Sequence, residues 1–355
     1  MIPSIDRNAP VLVTGATGYV AGWLVKKLLD EGLTVHAAVR DPHNEAKLQH
    51  LNDLASNAPG TIAYFKADLL DHGSFAAAMQ GCELVYHTAS PFTSEVTDPQ
   101  KELIDPAMLG TRNVLEEASR TPSVKRVVVT SSCAAMYGDN ADLSTSANGV
   151  LTEEDWNTSS SLHHQAYSYS KTVAEQEAWK IAKEQDQWDL VTVNPSFVIG
   201  PGINPKGTSE SFTLIKNFGN GTFKSGVANF GIGCVDVRDL AEAHFKAGFT
   251  PAASGRHIIS GHNTDFLEMG LLLEEKFGDR FPIPKKSLPK PLLWLIGPSL
   301  NKMLTRKVVA RNIDVPWKAD NGKSIRELSM TYRPLRESME DFFQQLVDSG
   351  QIQAS

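Results

Sequence analysis

Along the first half of the chain the apolar positions follow two alternating periods. Runs with the character of buried strands recur at Val11 to Thr14, Thr34 to Val39, Thr61 to Lys66, Leu84 to Thr88, Val127 to Thr130 and Leu190 to Asn194. Helical patterns fall between most of them, at Ala21 to Glu31, Glu45 to Ala55, Gly73 to Met79, Leu103 to Arg120 and Tyr167 to Gln185. Strands separated by helices that can cross over a sheet predict an α/β fold, a Rossmann-type doubly wound parallel sheet. After Pro195 the pattern loosens. Glycines, prolines and short apolar pieces alternate as far as Gly233, Val237 to Gly248 reads again as helix, Phe281 to Pro298 as a proline-rich crossing and Leu335 to Asp348 as a terminal helix. The expected division is residues 1–195 for the parallel sheet and residues 196–355 for a smaller C-terminal α/β region, with Arg256 to Ser260 as a strand able to return to the first part.

Composition supports this and removes several alternatives. With 355 residues, 41% of them hydrophobic, the chain can bury one large core and a smaller one. Its 34 basic and 41 acidic residues leave a formal charge of −7, with no basic run of the kind that tracks a nucleic-acid backbone. Leu292 to Leu300 is too short and too interrupted by proline to span a bilayer, and no export signal is evident, so the expected setting is cytoplasmic, without a membrane partner. Asn157-Thr158-Ser159 matches a glycosylation acceptor but reads, without export, as a polar loop. Cys82, Cys133 and Cys234 form no CxxC pair and read as reduced, buried thiols.

The chemistry begins where the first strand runs into Gly15-Ala16-Thr17-Gly18-Tyr19-Val20 and then a helix. Gly15 can turn tightly without a Cβ penalty, and Gly18 lets an anionic ligand approach the backbone N–H groups of the helix start. The third small residue of such a turn is Ala21 or Gly22. The second strand ends in Arg40, where a site for NAD usually carries a carboxylate for the ribose, and Lys47 follows on the next helix; both charges suit a 2′-phosphate, which favours NADPH. Asp41 faces the other way in an extended run.

A second constellation joins Thr130-Ser131-Ser132, at the end of a strand, to Tyr167-Ser168-Tyr169-Ser170-Lys171, at the start of a helix. Tyr167 and Lys171 are four apart and share a face, whereas Tyr169 lies on another and reads as packing or as lining of the pocket. Reduction of a carbonyl builds negative charge on oxygen, and Tyr167 can stabilise that oxygen and supply the proton. A free phenol near pKa 10 is a poor shuttle at neutral pH unless a cation such as Lys171 favours the phenolate. Ser132 can donate a second hydrogen bond to the same oxygen. His163 and His164 belong to no spaced ligand cluster, and no metal is expected. Asp236-Val237-Arg238-Asp239 reads as a capped helix start with a local ion pair.

Taken together and in order, Gly15 to Ala21, Val39-Arg40-Asp41, His87-Thr88-Ala89-Ser90-Pro91-Phe92, Thr130 to Ser132, Tyr167 to Lys171 and Asn194 to Pro201 resemble the extended short-chain dehydrogenase/reductases. The likeness is to the group of dihydroflavonol reductases, cinnamoyl-CoA reductases and yeast NADPH-dependent aldehyde or methylglyoxal reductases, and it covers most of the chain to about residue 250. The resemblance implies catalytic roles for Ser132, Tyr167 and Lys171 and an NADP(H) site. That site would take Gly15, Thr17, Gly18, Tyr19 and Val20 at the glycine turn, Arg40 and Lys47 at the 2′-phosphate, and Asp68 with Leu69 at the adenine. Thr88, Ala89 and Ser90 would line the cofactor, Tyr167 and Lys171 would share it, and the Pro195 to Val198 segment, with Pro195, Phe197 and Val198 as contacts, would pass the nicotinamide. Phe92, Ser132, Tyr167 and Phe197 would meet the substrate, with Ile203, Phe223 and Phe230 as further candidates from the C-terminal region. It also implies transfer of the pro-S hydride, reversibly, without a metal, and a monomer or homodimer.

Two departures narrow the group. Ala21 stands where many relatives have the third glycine, as in the yeast enzymes, and Trp156-Asn157-Thr158-Ser159-Ser160 lacks the cysteine-containing segment typical of cinnamoyl-CoA reductases. Aldehydes, ketones and keto esters are therefore the expected substrates. A dihydroflavonol- or hydroxycinnamoyl-type reductase, a sugar-nucleotide epimerase or dehydratase, and a non-catalytic NADP-binding sensor are the alternatives on the same architecture.

Overall fold

The computed structural model describes residues 4–90, 96–301 and 304–353. Its sheet strands are β1 (Val11–Thr14), β2 (Thr34–Val39), β3 (Thr61–Lys66), β4 (Leu84–His87), β5 (Arg126–Thr130) and β6 (Asp189–Pro195). The helices between them are α1 (Tyr19–Asp30), α2 (Glu45–Ser56), α3 (Ala76–Met79), α4 (Asp105–Arg120) and α5 (Ala166–Lys183). The chain continues through β7 (Phe197–Ile199), α6 (Glu210–Gly219), β8 (Val227–Ala228), β9 (Gly231–Asp236), α7 (Val237–Phe249), β10 (Gly255–Ile259), β11 (His262–Asp265) and α8 (Phe266–Phe277). It closes with β12 (Ser287–Leu288), α9 (Lys290–Leu300), α10 (Arg306–Asn312), α11 (Gly322–Leu328) and α12 (Leu335–Asp348).

Seven strands form one parallel sheet in the order β3-β2-β1-β4-β5-β6-β10. The chain order reverses between β1 and β4, and there the strand ends open a crevice for a ligand. The inner strands are buried on both faces, which is why Val11-Leu12-Val13 and Val127-Val128-Val129 read as unbroken apolar runs instead of alternating. One face packs α1 and α7 around Leu24, Val25, Leu28, Leu240 and Ala243; the other packs α4 and α5 around Val114, Leu115, Ala118 and Ala178. A third core gathers Phe212, Phe218, Met269, Phe277, Phe342 and Phe343 from α6, α8 and α12 behind the small sheet β11-β9-β7.

The C-terminal half is more regular than its glycines and prolines suggest. Phe212, Ile215 and Phe218 recur at helical spacing and bury one side of α6, which the loop-like composition around it conceals. Phe281 to Pro298 is no extended crossing, because α9 begins at Lys290. Pro291 lies in its first turn, where the missing N–H costs no hydrogen bond, and Pro298 lies near its end. Conversely, Gly73 to Phe75 precede α3 as a turn, leaving a helix of four residues. The three cysteines are free and buried, and Asp236 caps α7, accepting the Arg238 N–H at 2.8 Å while its carboxylate pairs with the Arg238 guanidinium.

Candidate active site

Gly15 leaves β1 with φ +64°, in the left-handed region, and a Cβ built on it would stand 3.0 Å from both Cα and Cβ of Ala89. Both facts call for glycine. Its neighbour strand is locked by Thr14, whose hydroxyl accepts the N–H groups of Thr88 and Ala89 at 3.1 Å each and lies 3.0 Å from His87 Nδ1. With both acceptor positions of Thr14 used, its single proton goes to His87 Nδ1, which makes His87 a neutral donor toward Thr111 Oγ1 at 3.4 Å. Burial, and then the Lys171 charge, holds His87 down at about 3, in keeping with the neutral ring.

Helix α1 starts at Gly18 with no side chain capping its first turn, and Thr17 and Gly18 are exposed. The N–H groups of Tyr19, Val20 and Ala21 are thus left for a ligand, as an anion such as a pyrophosphate requires. The Tyr19 side chain turns away: its hydroxyl donates to Gly200 O at 2.5 Å and its ring packs on Phe212 and Phe342, so only its backbone belongs to the turn. Arg40 is exposed at the end of β2, and the Lys47 side chain is exposed on α2. Neither charge enters an ion pair among the described residues. Asp68 is exposed in a turn pinned by Ser74 and by Asn113, whose amide donates to Leu69 O at 3.1 Å; Leu69 itself packs where Gly110 of α4 leaves room.

Ser132 follows β5 in extended conformation, accepts the Ala134 N–H at 3.1 Å and is hydrogen bonded to the Tyr167 side chain. Tyr167 is 37% exposed as a whole residue, but its hydroxyl end is enclosed, and burial pushes the phenol up to about 12 against the opposing Ser132 bond. Lys171 lies on the same face of α5, with Nζ 5.8 Å from the Tyr167 ring centre, and donates to Ser90 Oγ at 3.0 Å. Burial lowers Lys171 to about 8, and the Glu175 carboxylate one turn further on opposes that shift. Burial thus raises the Tyr167 phenol, and the same burial makes the Lys171 ammonium, hydrogen bonded to Ser90, less basic than a free lysine.

Two carboxylates that sequence reasoning passed over fix this geometry. Glu175 is buried and accepts from Ser131 Oγ at 2.5 Å, Asn194 Nδ2 at 2.7 Å and Arg256 Nε at 2.6 Å, tying α5 to β5, β6 and β10 at once. Arg256 also donates to Glu153 O and Asp155 O and stacks 4.0 Å from the Trp156 ring. Asp139, fully buried, receives Gln165 Nε2 at 3.0 Å, Arg311 Nε at 2.7 Å and Asn312 Nδ2 at 2.8 Å, and lies 2.7 Å from His164 Nε2. Burial opposes its ionisation, but these hydrogen bonds outweigh burial and hold it below its ordinary value. Gln165, in left-handed conformation at φ 55°, is the residue from which α5 springs, so Asp139 sets the position of Tyr167 two residues on. Spacing along the chain gives no signal for either, since their partners are distant in sequence. A cavity of about 20 Å³, enough for one water, lies behind Lys171 between Glu175, Ser131, His87 and Thr111.

At Ser196 the chain leaves the large sheet: Pro195 ends β6, the Ser196 N–H donates to Ile259 O at 3.1 Å, and Phe197 opens β7 beside β9. Phe197 and Val198 are half-buried against the third core and the first. The buried Ser196 hydroxyl has no hydrogen-bond partner among the described residues. Phe223 and Phe230 pack on Phe218 and Phe266, and Ile203 lies against Gly22 of α1. Phe92 falls outside the described residues. Among the described residues no group of His, Cys, Asp and Glu is arranged to hold a metal, and no helix is long and apolar enough to cross a membrane.

Residues 11–259 match the model of the NAD dependent epimerase/dehydratase family. The chain is 43% identical over 270 residues to cinnamoyl-CoA reductase CAD2 of Medicago truncatula, covering 75% of this chain and 80% of that one. It is 36% identical to tetraketide alpha-pyrone reductase 1 of Arabidopsis thaliana over 98% of both chains. The solved structure of Gre2 from Candida albicans in complex with NADPH superposes with a TM-score of 0.76 at 30% identity, over 96% of this chain and 99% of that one. The chain thus belongs to the NAD dependent epimerase/dehydratase family, as an extended short-chain dehydrogenase/reductase and an NADP-dependent oxidoreductase.

Proposed function

We propose that the protein reduces aldehydes, ketones or keto esters to alcohols with NADPH, and that Tyr167 delivers the proton. The observation that carries this reading is the convergence of Ser132, Tyr167 and Lys171, with Lys171 bonded to Ser90, next in the chain to the Ala89 that meets Gly15 at the glycine turn ahead of the uncapped start of α1. The residues fit the cofactor: the glycine turn offers free N–H groups for a pyrophosphate, Arg40 and Lys47 offer charge for a 2′-phosphate, and the unpartnered Ser196 hydroxyl marks a polar lining at the sheet crossover. When bound, NADPH supplies the hydride. Ser132 holds the carbonyl oxygen, and Tyr167, a neutral phenol at every physiological pH, donates its proton as negative charge grows there. The Lys171 ammonium stabilises the phenolate left behind and, within reach of Ser90, steadies the ribose side of the site. Thr88 and Ala89, pinned by Thr14, shape the floor of that site. Residues 1–195 then form mainly the cofactor half, and residues 196–355 mainly the substrate half, with β10 returning to the first.

A second reading, reduction of a hydroxycinnamoyl thioester, draws on the 43% identity to a cinnamoyl-CoA reductase. Both are tested by NADPH oxidation across aldehydes, ketones, β-keto esters, dihydroflavonols and an acyl-CoA, with Tyr167→Phe as control. The reading expects turnover that falls about 10²- to 10⁴-fold in Tyr167→Phe. Conversion of a sugar nucleotide without net NADPH consumption, or no turnover at all, overturns it.

A further inference from the structure

Residues 280–313 carry eight Lys and Arg and not one Asp or Glu, in a chain whose formal charge is −7. Within this stretch α9 has no charged residue from Pro291 to Leu300 and is apolar on nearly every side. A helix of that composition belongs in a core. Yet only Leu293 and Gly297 are buried, against Val309, Ile313 and Leu304, while Leu292, Trp294, Leu295 and Leu300 are 41, 43, 63 and 68% exposed. Cations accompany the bare face: the Arg306 guanidinium lies 4.6 Å from the centre of the Trp294 ring, and Lys286, four residues before α9, and Lys307, next to Arg306 in α10, are exposed. Lys290 holds α9 to α10 by donating to Ala310 O and Ile313 O at 3.0 and 2.7 Å, so the helix is seated as a unit.

We propose that this face docks on the anionic surface of a lipid bilayer, with α9 lying in the plane of the interface; this departs from the sequence expectation of no membrane partner, which weighed only a spanning segment or an export signal. An apolar face with Trp and Leu rimmed by Lys and Arg matches both layers of such a surface, hydrocarbon beneath and negative headgroups at its edge. Eleven residues make about 16 Å of helix, roughly half the hydrocarbon thickness, so the helix rests in the surface and does not cross it. A second copy of the chain fits worse. Two-fold pairing would bring the same face onto itself, cation against cation, with no acid in the stretch to answer them.

The experiment is co-sedimentation of the full chain with vesicles of phosphatidylcholine alone and with phosphatidylglycerol added. The protein is expected to sediment with the anionic vesicles, less so as salt shortens the screening length. Leu295→Glu should weaken that binding about tenfold or more, and the pair Lys286→Glu/Lys307→Glu, which leaves the apolar face whole, should do the same. All three positions are exposed, so the unfolding temperature and NADPH turnover without vesicles should match the parent chain, separating lost docking from lost fold. No sedimentation of the parent chain with anionic vesicles, or equal sedimentation of Leu295→Glu, overturns the proposal. So does a dimer in light scattering that Leu295→Glu turns into a monomer, or a preference for poly-glutamate over vesicles, which would assign the face to a protein partner.

Discussion

Glu175→Gln removes one charge from the junction of four elements while keeping the side-chain shape. The carboxylate is 1% exposed, and its partner Arg256 is 7% exposed, so the substitution leaves a buried guanidinium without its counter-charge. Loss of one partner from a buried pair costs about 3–5 kcal/mol. Arg256 keeps its bonds to Glu153 O and Asp155 O and its stacking on Trp156, which points to the low end, about 3 kcal/mol. With an unfolding entropy of about 2.1 cal/mol/K per residue, that lowers the Tm by about 4 °C if the 355 residues unfold together. A kinetic signature accompanies it. The Glu175 charge props up the protonated form of Lys171 against burial, so its removal lets Lys171 lose its proton below about 8. The alkaline limb of the rate profile should therefore move toward neutrality. Differential scanning fluorimetry and NADPH oxidation from pH 6 to 10 read both effects, and Arg256→Met on the same background should recover part of the Tm by removing the stranded charge. A Tm within about 1 °C of the parent together with an unmoved alkaline limb would refute the reasoning.

Other expectations are narrower. In the parent enzyme Lys171 is charged below about 8 and neutral above, while Tyr167, at about 12, keeps its proton throughout; reduction should therefore slow as pH rises through about 8, and a rate constant flat to pH 10 would contradict that. Arg40→Asp should cost a charge-assisted contact of about 1.5–3 kcal/mol, roughly a 10- to 150-fold fall in kcat/KM with NADPH relative to NADH, read by comparing the two cofactors. Gly15→Val forces a branched residue to φ +64° and drives its Cβ into Ala89, so calorimetry should find NADPH affinity at least about tenfold lower, with about 1–2 kcal/mol of backbone cost alone; an unchanged Kd would dispose of the glycine-turn assignment.

The parallel sheet was legible in the chain because its strands are buried on both faces. Val11 to Thr14, Thr34 to Val39 and Thr61 to Lys66 stand in the structure with the bounds the apolar runs predict. The glycine turn and the pair Tyr167 and Lys171 were legible for a related reason, since each is a short-range pattern whose geometry follows from one turn or one helix. Where the local pattern misled, packing had the deciding vote. Proline at the head of α9 and glycine at the end of α6 look like breakers in sequence and are harmless where they fall, at helix ends with unpaired backbone groups. The Tyr19 ring follows the glycine turn directly and yet turns into a distant aromatic core.

What the sequence by itself determined is the alternation of elements, the glycine turn and the residue types that the proposed reduction calls on. Only the tertiary structure decided how those residues are held and charged. Asp139 and Glu175 draw donors from elements up to 173 residues away in the chain and so hold α5 and Tyr167 in place, while burial strips Lys171 of part of its basicity against the Glu175 charge and the packing of the C-terminal region leaves α9 bare. Hydrogen bonds and desolvation depend on what the fold brings near, which no spacing along the chain records.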